Sequence, residues 1–408
     1  RHGPIVERAG GQAYALKWTA IEPGGLSGAY SIVGSAQNWS EFRQALRQVP
    51  GPAQNAVYAD VDGNIGFIVA ARIPVRKKGD GSVPVAGDTD DYEWTGYIPF
   101  DELPQLLNPP GGVVATANAR VVGPGYPHYL TDRWASPYRT ARIYELLAAK
   151  KDFRPGDLLS IQTDIVSLPH KFLAEQLVRA SQAARPGDDR TKTLLSRLPG
   201  WDGCARADSI ETSFLEYARR MLLRNLLRPY LGAETTLYEW REAVFLERVL
   251  RERPARWLPA NFHSYDELLM ASADEAVDAL TKDTGSPDAS EWRWGRQNAL
   301  RILHPLGRSG WRERLLSIGP LEQSGTSHSV KAMQASHGPA MRFVADLSNF
   351  DNSLMELTLG ESGQYGSPHY RDQFVVWFEG RSIVQPFSDA AQEKSRVHRL
   401  RLLSPPGH

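Results

Sequence analysis

Up to about residue 120 the apolar positions recur mostly with period two. Ile5-Val6 and Tyr14-Ala15-Leu16-Lys17-Trp18 stand on either side of Gly10-Gly11 and predict a hairpin. Asn55-Ala56-Val57-Tyr58-Ala59-Asp60 and Ile65-Gly66-Phe67-Ile68-Val69-Ala70 flank Asp62-Gly63 and predict a second one. Strand character continues through Val113-Val114-Ala115-Thr116. A helix interrupts at 38–46, where Trp39, Phe42, Ala45 and Leu46 share a face, with Ser40 as the expected cap and Glu41 behind it.

From about 137 the period lengthens. Helices are predicted over 138–147, 157–167, 171–183, 209–227 and 237–251, punctuated by Gly200, Pro229 and Pro254. After about 295 alternation returns in Met341-Arg342-Phe343-Val344-Ala345-Asp346-Leu347 and, past a polar turn, Leu354-Met355-Glu356-Leu357-Thr358-Leu359. Strands, helices, then strands predict an α+β fold. Residues 1–136 form its β-rich part, 137–290 a mainly helical insertion, and 291–408 the returning strands and last helix. The 404–408 tail, with Pro405-Pro406 inside it, is expected to fray.

Composition narrows the chemistry. With 41% hydrophobic and 23% charged residues the chain is globular. Its 47 basic residues balance 47 acidic ones and no dense Lys/Arg run occurs, so no nucleic-acid partner is expected. Cys204 is the single cysteine, which excludes a disulfide within the chain and a cysteine-ligated zinc. No apolar run approaches the roughly 20 residues of a membrane span. The chain opens on Arg1, inside a predicted hairpin, and reads as a processed subunit or a piece of a longer precursor.

The familiar catalytic signatures do not occur: no His-Glu-x-x-His, no phosphate loop, no GxGxxG opening a helix. Ser27, Ser309, Ser324 and Ser362 each precede a glycine, but none stands in a G-x-S-x-G elbow. Ten histidines, His170 and His328 among them, are scattered, and each reads first as a buried, satisfied core residue.

Several stretches taken in order nevertheless resemble the penicillin amidase (penicillin acylase) family. They are Arg1-His2-Gly3-Pro4-Ile5-Val6, Asp62-Gly63-Asn64-Ile65-Gly66, Ile73-Pro74-Val75-Arg76, Gly79-Asp80-Gly81 and Trp94-Thr95-Gly96-Tyr97-Ile98-Pro99-Phe100. Ala117-Asn118, Tyr138-Arg139, Gln162-Thr163-Asp164, Trp201-Asp202-Gly203 and the segment from Ser362-Gly363-Gln364-Tyr365-Gly366 to Arg371-Asp372-Gln373 follow.

The resemblance implies a four-layer αββα N-terminal nucleophile hydrolase, incomplete here, whose precursor cuts itself into a light and a heavy chain. The nucleophile in that family is the serine that opens the heavy chain, with its own α-amino group as base. Such activation needs no histidine, which suits the missing triad. Arg1 is not serine, so the text corresponds to the later part of a heavy chain, and this piece alone is expected to be inactive. The implied activity is hydrolysis of a linear amide in a small-molecule acyl-amide substrate, with a light chain from the same precursor as partner. The implied address is periplasmic or extracellular.

Two site residues carry over by motif. Asn118 matches the family asparagine that points its amide into the oxyanion hole; the bland reading is an asparagine closing a strand on its own backbone. Arg139 matches the family arginine near the reaction centre, with Arg142 as its neighbouring rival; the bland reading is a solvated or salt-bridged arginine at the first turn of a helix. No cofactor is implied for the chemistry. Structural calcium occurs in parts of the family, with Asp132 as a candidate ligand, while Asp88, Asp90 and Asp91 read as a solvated loop. Trp94, Tyr97 and Phe100 read as a core wall, and Ser367-Pro368-His369-Tyr370 as a turn. The rival from another class is a non-catalytic extracytoplasmic binding module, with eleven tryptophans and fifteen tyrosines as stacking platforms.

Overall fold

The computed structural model describes residues 2–22, 26–238 and 242–403. Arg1 and the 404–408 tail lie outside the described residues, as do 239–241 in the predicted 237–251 helix. The chain divides into two units, Arg1–Ala135 and Ser136–His408.

In the first unit β1 (Ile5–Ala9) and β2 (Gln12–Ala15) pair around Gly10 and Gly11 as expected. Helices α1 (Leu26–Val33) and α2 (Trp39–Leu46) follow. Asn38 rather than Ser40 caps α2: its side chain accepts the Glu41 N–H at 3.0 Å, while the Glu41 carboxylate accepts the Gln37 N–H at 2.9 Å. The second hairpin, β3 (Gln54–Ala59) and β4 (Ile65–Ala70), pairs Ala59 with Ile65 across a five-residue loop, 60–64. Asp60 closes that loop by accepting the N–H groups of Asp62 and Asn64 at 3.0 and 2.9 Å. Strands β5 (Pro74–Arg76) and β6 (Trp94–Tyr97) form a pair, and β7 (Gln105–Leu107) adds to the free edge of β4.

Residues 113–116, expected as a strand, join no ladder among the described residues. Pro109, Pro110 and Gly112 (φ 63°) turn the chain after β7, and 113–116 follow without regular structure. The core of this unit joins Leu46 and Val49 after α2 to Ile68 and Ala70 on β4, with Trp39, Phe42 and Phe100 packed around them. A Cβ on Gly66 would stand 2.6 Å from a ring carbon of Trp39, so only glycine lets the indole meet the strand. Gly66→Ala should therefore cost about 1–3 kcal/mol through overpacking, read as an earlier denaturant midpoint.

The second unit is built on α3 (Tyr138–Ala148), α4 (Pro155–Gln162), α5 (Leu168–Ala183), α6 (Asp189–Arg197), α7 (Ile210–Leu231), α8 (Glu242–Glu252), α9 (Tyr265–Thr284) and α10 (Trp294–Gln297). Phe214, Leu222 and Leu226 of α7, Leu268, Val277 and Leu280 of α9, and Leu177 of α5 share one buried cluster. The predicted 157–167 helix stops at Gln162. Beyond it, residues 165–167 zip against 203–205, with Ser167 N–H to Gly203 O at 2.9 Å and Ala205 N–H to Ile165 O at 3.0 Å. Helix α7 runs through Pro229 to Leu231, because a proline in the last turn removes only one bond near the frayed end.

Helix α9 went unpredicted, although Ser264 caps it by accepting the Glu267 N–H at 3.1 Å and Gly285 ends it in a left-handed conformation. The returning strands β8 (Leu300–Ile302) and β9 (Ile318–Leu321) flank α11 (Gly310–Leu316). Strands β10 (Met341–Val344), β11 (Leu354–Leu357) and β12 (Ile383–Val384) form a sheet beside α12 (Phe374–Phe378), before α13 (Asp389–Ser395).

A string of buried polar groups crosses this unit. Ser167 Oγ, before α5, lies 2.6 Å from His170 Nδ1, and His170 Nε2 lies 3.1 Å from Glu216 of α7. Glu216 also accepts from Arg219 Nη2 at 2.8 Å and Arg220 Nε at 2.9 Å. Arg219 Nη1 donates to Glu242 of α8 at 2.9 Å. Glu242 stands 3.8 Å from His328 Nε2, and His328 Nδ1 stands 3.5 Å from Ser136 Oγ. Burial would push the Glu216 carboxyl up, but Arg219 and His170 outweigh it and hold it well below the usual range.

His328 is pushed down to about 3, first by burial, then by the charges of Arg219 and His170. Its unfolded value lies near 6.5, so below that pH the unfolded chain binds a proton the folded one refuses. This residue's share of stability is thus present above about pH 6.5 and is lost as the pH falls toward about 3. His328→Gln should remove that loss: between pH 7 and pH 4 the variant should lose on the order of 3 kcal/mol less than the parent in denaturant unfolding.

Candidate active site

Asn118 lies in the first unit, between Ala117 and Ala119, which are both buried while Asn118 is exposed. Its φ is 66°, in the left-handed region that a side chain rarely enters and that asparagine tolerates best. The backbone is pinned there: Asn118 O accepts the Ala135 N–H at 3.0 Å, and Thr116 Oγ1 accepts from Asn55 Nδ2 at 3.2 Å. Two buried methyl groups and a long-range hydrogen bond thus hold a strained residue whose side chain faces outward. Since 113–116 joins no ladder, there is no strand here for Asn118 to close.

Arg139 and Arg142 lie on the first turns of α3, in the second unit, and the structure separates their roles. Arg142 makes a two-pronged bond to Asp164, Nε to Oδ1 at 3.1 Å and Nη2 to Oδ2 at 2.9 Å, and pairs with Glu145 at 2.9 Å. It fastens α3 to the turn after α4, and its two carboxylates are its purpose. Arg139 is half-buried, and burial alone lowers its pKa. A desolvated guanidinium at a helix N-terminus meets an unfavourable dipole, which is a poor arrangement for stability and a good one for holding an anion or a carbonyl oxygen. Next to it, Tyr138 is buried and donates to Glu247 at 2.6 Å and Ala243 O at 3.2 Å; burial and the Glu247 charge raise its pKa.

Sequence reasoning did not reach the Ser167–His170–Glu216 series, in which Ser167 and His170 lie at the start of α5 and Glu216 lies 46 residues beyond His170 on α7. Its order is that of a nucleophile triad, yet the serine meets Nδ1 and the carboxylate meets Nε2, the reverse of the usual assignment. Ser167 is 0% exposed, so no substrate carbonyl reaches it. The series is structural. His170 is the satisfied core histidine expected of most, whereas His328 Nε2 has no hydrogen-bond partner among the described residues. A groove of about 600 Å³ beside α5, lined by Lys171, Glu175, Arg179 and Trp201, contains none of the candidates.

The remaining readings are placed as follows. Trp94 lies under Lys17 at 4.8 Å, Tyr97 donates to Glu22, and Phe100 lies under Arg43 and Arg47 beside the core of the first unit. Lys78 pairs with Asp91 at 2.9 Å on an exposed loop. Asp202 accepts the Cys204 N–H at 2.8 Å, which makes Trp201-Asp202-Gly203 a turn. Asp132 is exposed, and among the described residues no three His, Cys, Asp or Glu side chains stand close enough to hold a metal ion.

The penicillin amidase family model matches residues 1–394. The chain is 30% identical to penicillin acylase 2 proenzyme of Pseudomonas sp. strain SE83, over 95% of this chain and 51% of that protein. It is 27% identical to acyl-homoserine lactone acylase QuiP of Pseudomonas fluorescens strain Pf-5, over 100% of this chain and 53% of that protein. The chain therefore spans about half the length of the relatives it matches. Among solved structures it resembles a thermostable penicillin G acylase from Alcaligenes faecalis, with a TM-score of 0.74 and 20% identity, covering 100% of this chain and 78% of that one. The fold expectation holds: the chain is 39% helix and 14% strand and shares the N-terminal nucleophile hydrolase fold of that enzyme. By the match along nearly its whole length, this chain belongs to the penicillin amidase family.

Proposed function

We propose that the whole protein is an amidohydrolase that transfers the acyl group of a small-molecule amide to a serine hydroxyl and then to water. The observation that carries this reading is the family match over residues 1–394, within which Asn118 stands in a strained left-handed conformation. The serine opens the heavy chain, upstream of this sequence, and its oxygen bonds to the amide carbon. The C–N bond breaks, the amine leaves with a proton, and water releases the acid. Asn118 donates its side-chain N–H to the oxyanion, and Arg139 orients the reacting group with its fork of donors. A light chain cut from the same precursor and a periplasmic or extracellular address belong to the same reading. Structural calcium belongs to it too, with ligands partly upstream and Asp132 as a candidate. No observation favours the binding-module alternative, and both named relatives are acylases.

Substitution at Asn118 tests the assignment, using the whole protein and a panel of phenylacetyl, glutaryl and long-chain acyl amides. Asn118→Gly keeps the left-handed backbone and removes the amide. It should lower turnover about 100-fold or more, on the order of 3 kcal/mol, without lowering the melting temperature. Asn118→Ala should show the same loss of turnover together with about 1 kcal/mol of destabilisation, because alanine is strained at φ 66°. Unchanged turnover in folded Asn118→Gly would remove Asn118 from the oxyanion hole.

A further inference from the structure

We propose that His328 is a positioning residue for Arg139, gripping the first turn of α3 from the end of the buried ionic string. The inference rests on the active-site reading of Arg139. The two neighbours of that turn are both held from inside. Ser136 Oγ lies 3.5 Å from His328 Nδ1, and the His328 ring meets the Tyr138 ring edge-on at 5.9 Å and 83°. The Tyr138 hydroxyl is anchored on α8, to Glu247 and Ala243 O. Arg139 follows directly, so its backbone is held by the packing of the buried Tyr138 and His328 rings.

His328 in turn is itself supported. It sits in a buried turn in which its own N–H donates to Thr326 Oγ1 at 3.1 Å and the Thr326 N–H donates to Ser329 Oγ at 2.9 Å. On its far side Glu242 stands 3.8 Å from Nε2 and is itself held by Arg219. The His170 ring lies 6.4 Å away. The groups facing the imidazole are therefore Arg219, Glu216, Glu242, His170, Tyr138 and the Arg139 charge. Burial and the charges of Arg219 and His170 keep the ring neutral at neutral pH.

Energetics support a positioning role. Two carboxylates and a guanidinium withdrawn from water recover little net stability, and apolar residues of like volume commonly do as well or better. What such a string supplies is a fixed geometry, and it ends beside a half-buried arginine in an electrostatically poor place. Displacement of a reacting group by about 1 Å costs up to 100-fold in rate.

The test is a double-mutant cycle in the whole protein, read as kcat and KM on an acyl amide together with the melting temperature. His328→Ala should lower kcat about tenfold with KM within about twofold, and His328→Gln, whose amide can reach Glu242, should restore most of it. In the Arg139→Ala background His328→Ala should produce no further loss of kcat. A drop in kcat by the same factor in both backgrounds would make the effect a general loss of structure and overturn the proposal. So would an unchanged kcat for His328→Ala when Arg139→Ala is impaired. An unimpaired Arg139→Ala would fail the active-site reading of Arg139 itself, a result distinct from either. Should His328→Ala not fold, Tyr138→Phe, which removes only the hydroxyl tied to Glu247, is read in the same cycle.

Discussion

The second unit depends on the pairing of Glu216 with Arg219 inside α7. A carboxylate this deeply buried persists only because two guanidiniums and an imidazole meet it, and each of those groups arrives from a definite direction. His170 brings α5, and Glu242, through Arg219, brings α8. Removing one partner of such a cluster leaves an unpaired buried charge, typically at 3–5 kcal/mol, so the helices hold a common register or lose it together. The apolar cluster of α5, α7 and α9 provides the bulk of the driving force but accepts many arrangements of similar volume. The ionic string accepts few.

Two arginines one turn apart show how the same side chain is put to different ends. Arg142 meets Asp164 with two parallel bonds and fixes where α3 sits. Arg139 stands half-buried at the start of the helix, next to Tyr138, whose hydroxyl is anchored on Glu247 of α8. In the first unit strain plays the corresponding part: Asn118 is kept at positive φ by the burial of the alanines beside it. On the proposed reading the serine is activated by its own amino group and needs no relay from histidine; the Ser167–His170–Glu216 series, with Ser167 fully buried, is structural.

Much of this was legible in the residues. The two hairpins, α2, α3, α5 and α7 follow from apolar period and turn chemistry, because those signals are local. The places where the reading slipped are those where a distant segment intervenes. The 157–167 helix is cut short because residues 203–205 take the backbone bonds of 165–167. Residues 113–116 have strand composition and no ladder, since β7 already occupies the edge of β4. Helix α9 was missed although its cap and final glycine are plain, its small apolar residues giving a weaker stripe than leucine would.

By itself, then, the sequence determined the succession of strands, helices and strands and the family, through short motifs kept in order along the chain, and the same motifs put forward Asn118 and Arg139 as candidates. It also excluded cysteine-held metal and the common phosphate and dinucleotide loops. Only the tertiary structure decided that Arg142 is the arginine that fastens α3 to Asp164, since both arginines stand near the start of one helix with the same charge. It alone revealed that His170 and His328, two of ten scattered histidines, meet around Glu216, Arg219 and Glu242. The reason is physical: period and capping are properties of neighbours in the chain. The partners that satisfy or desolvate a charge are neighbours only in space.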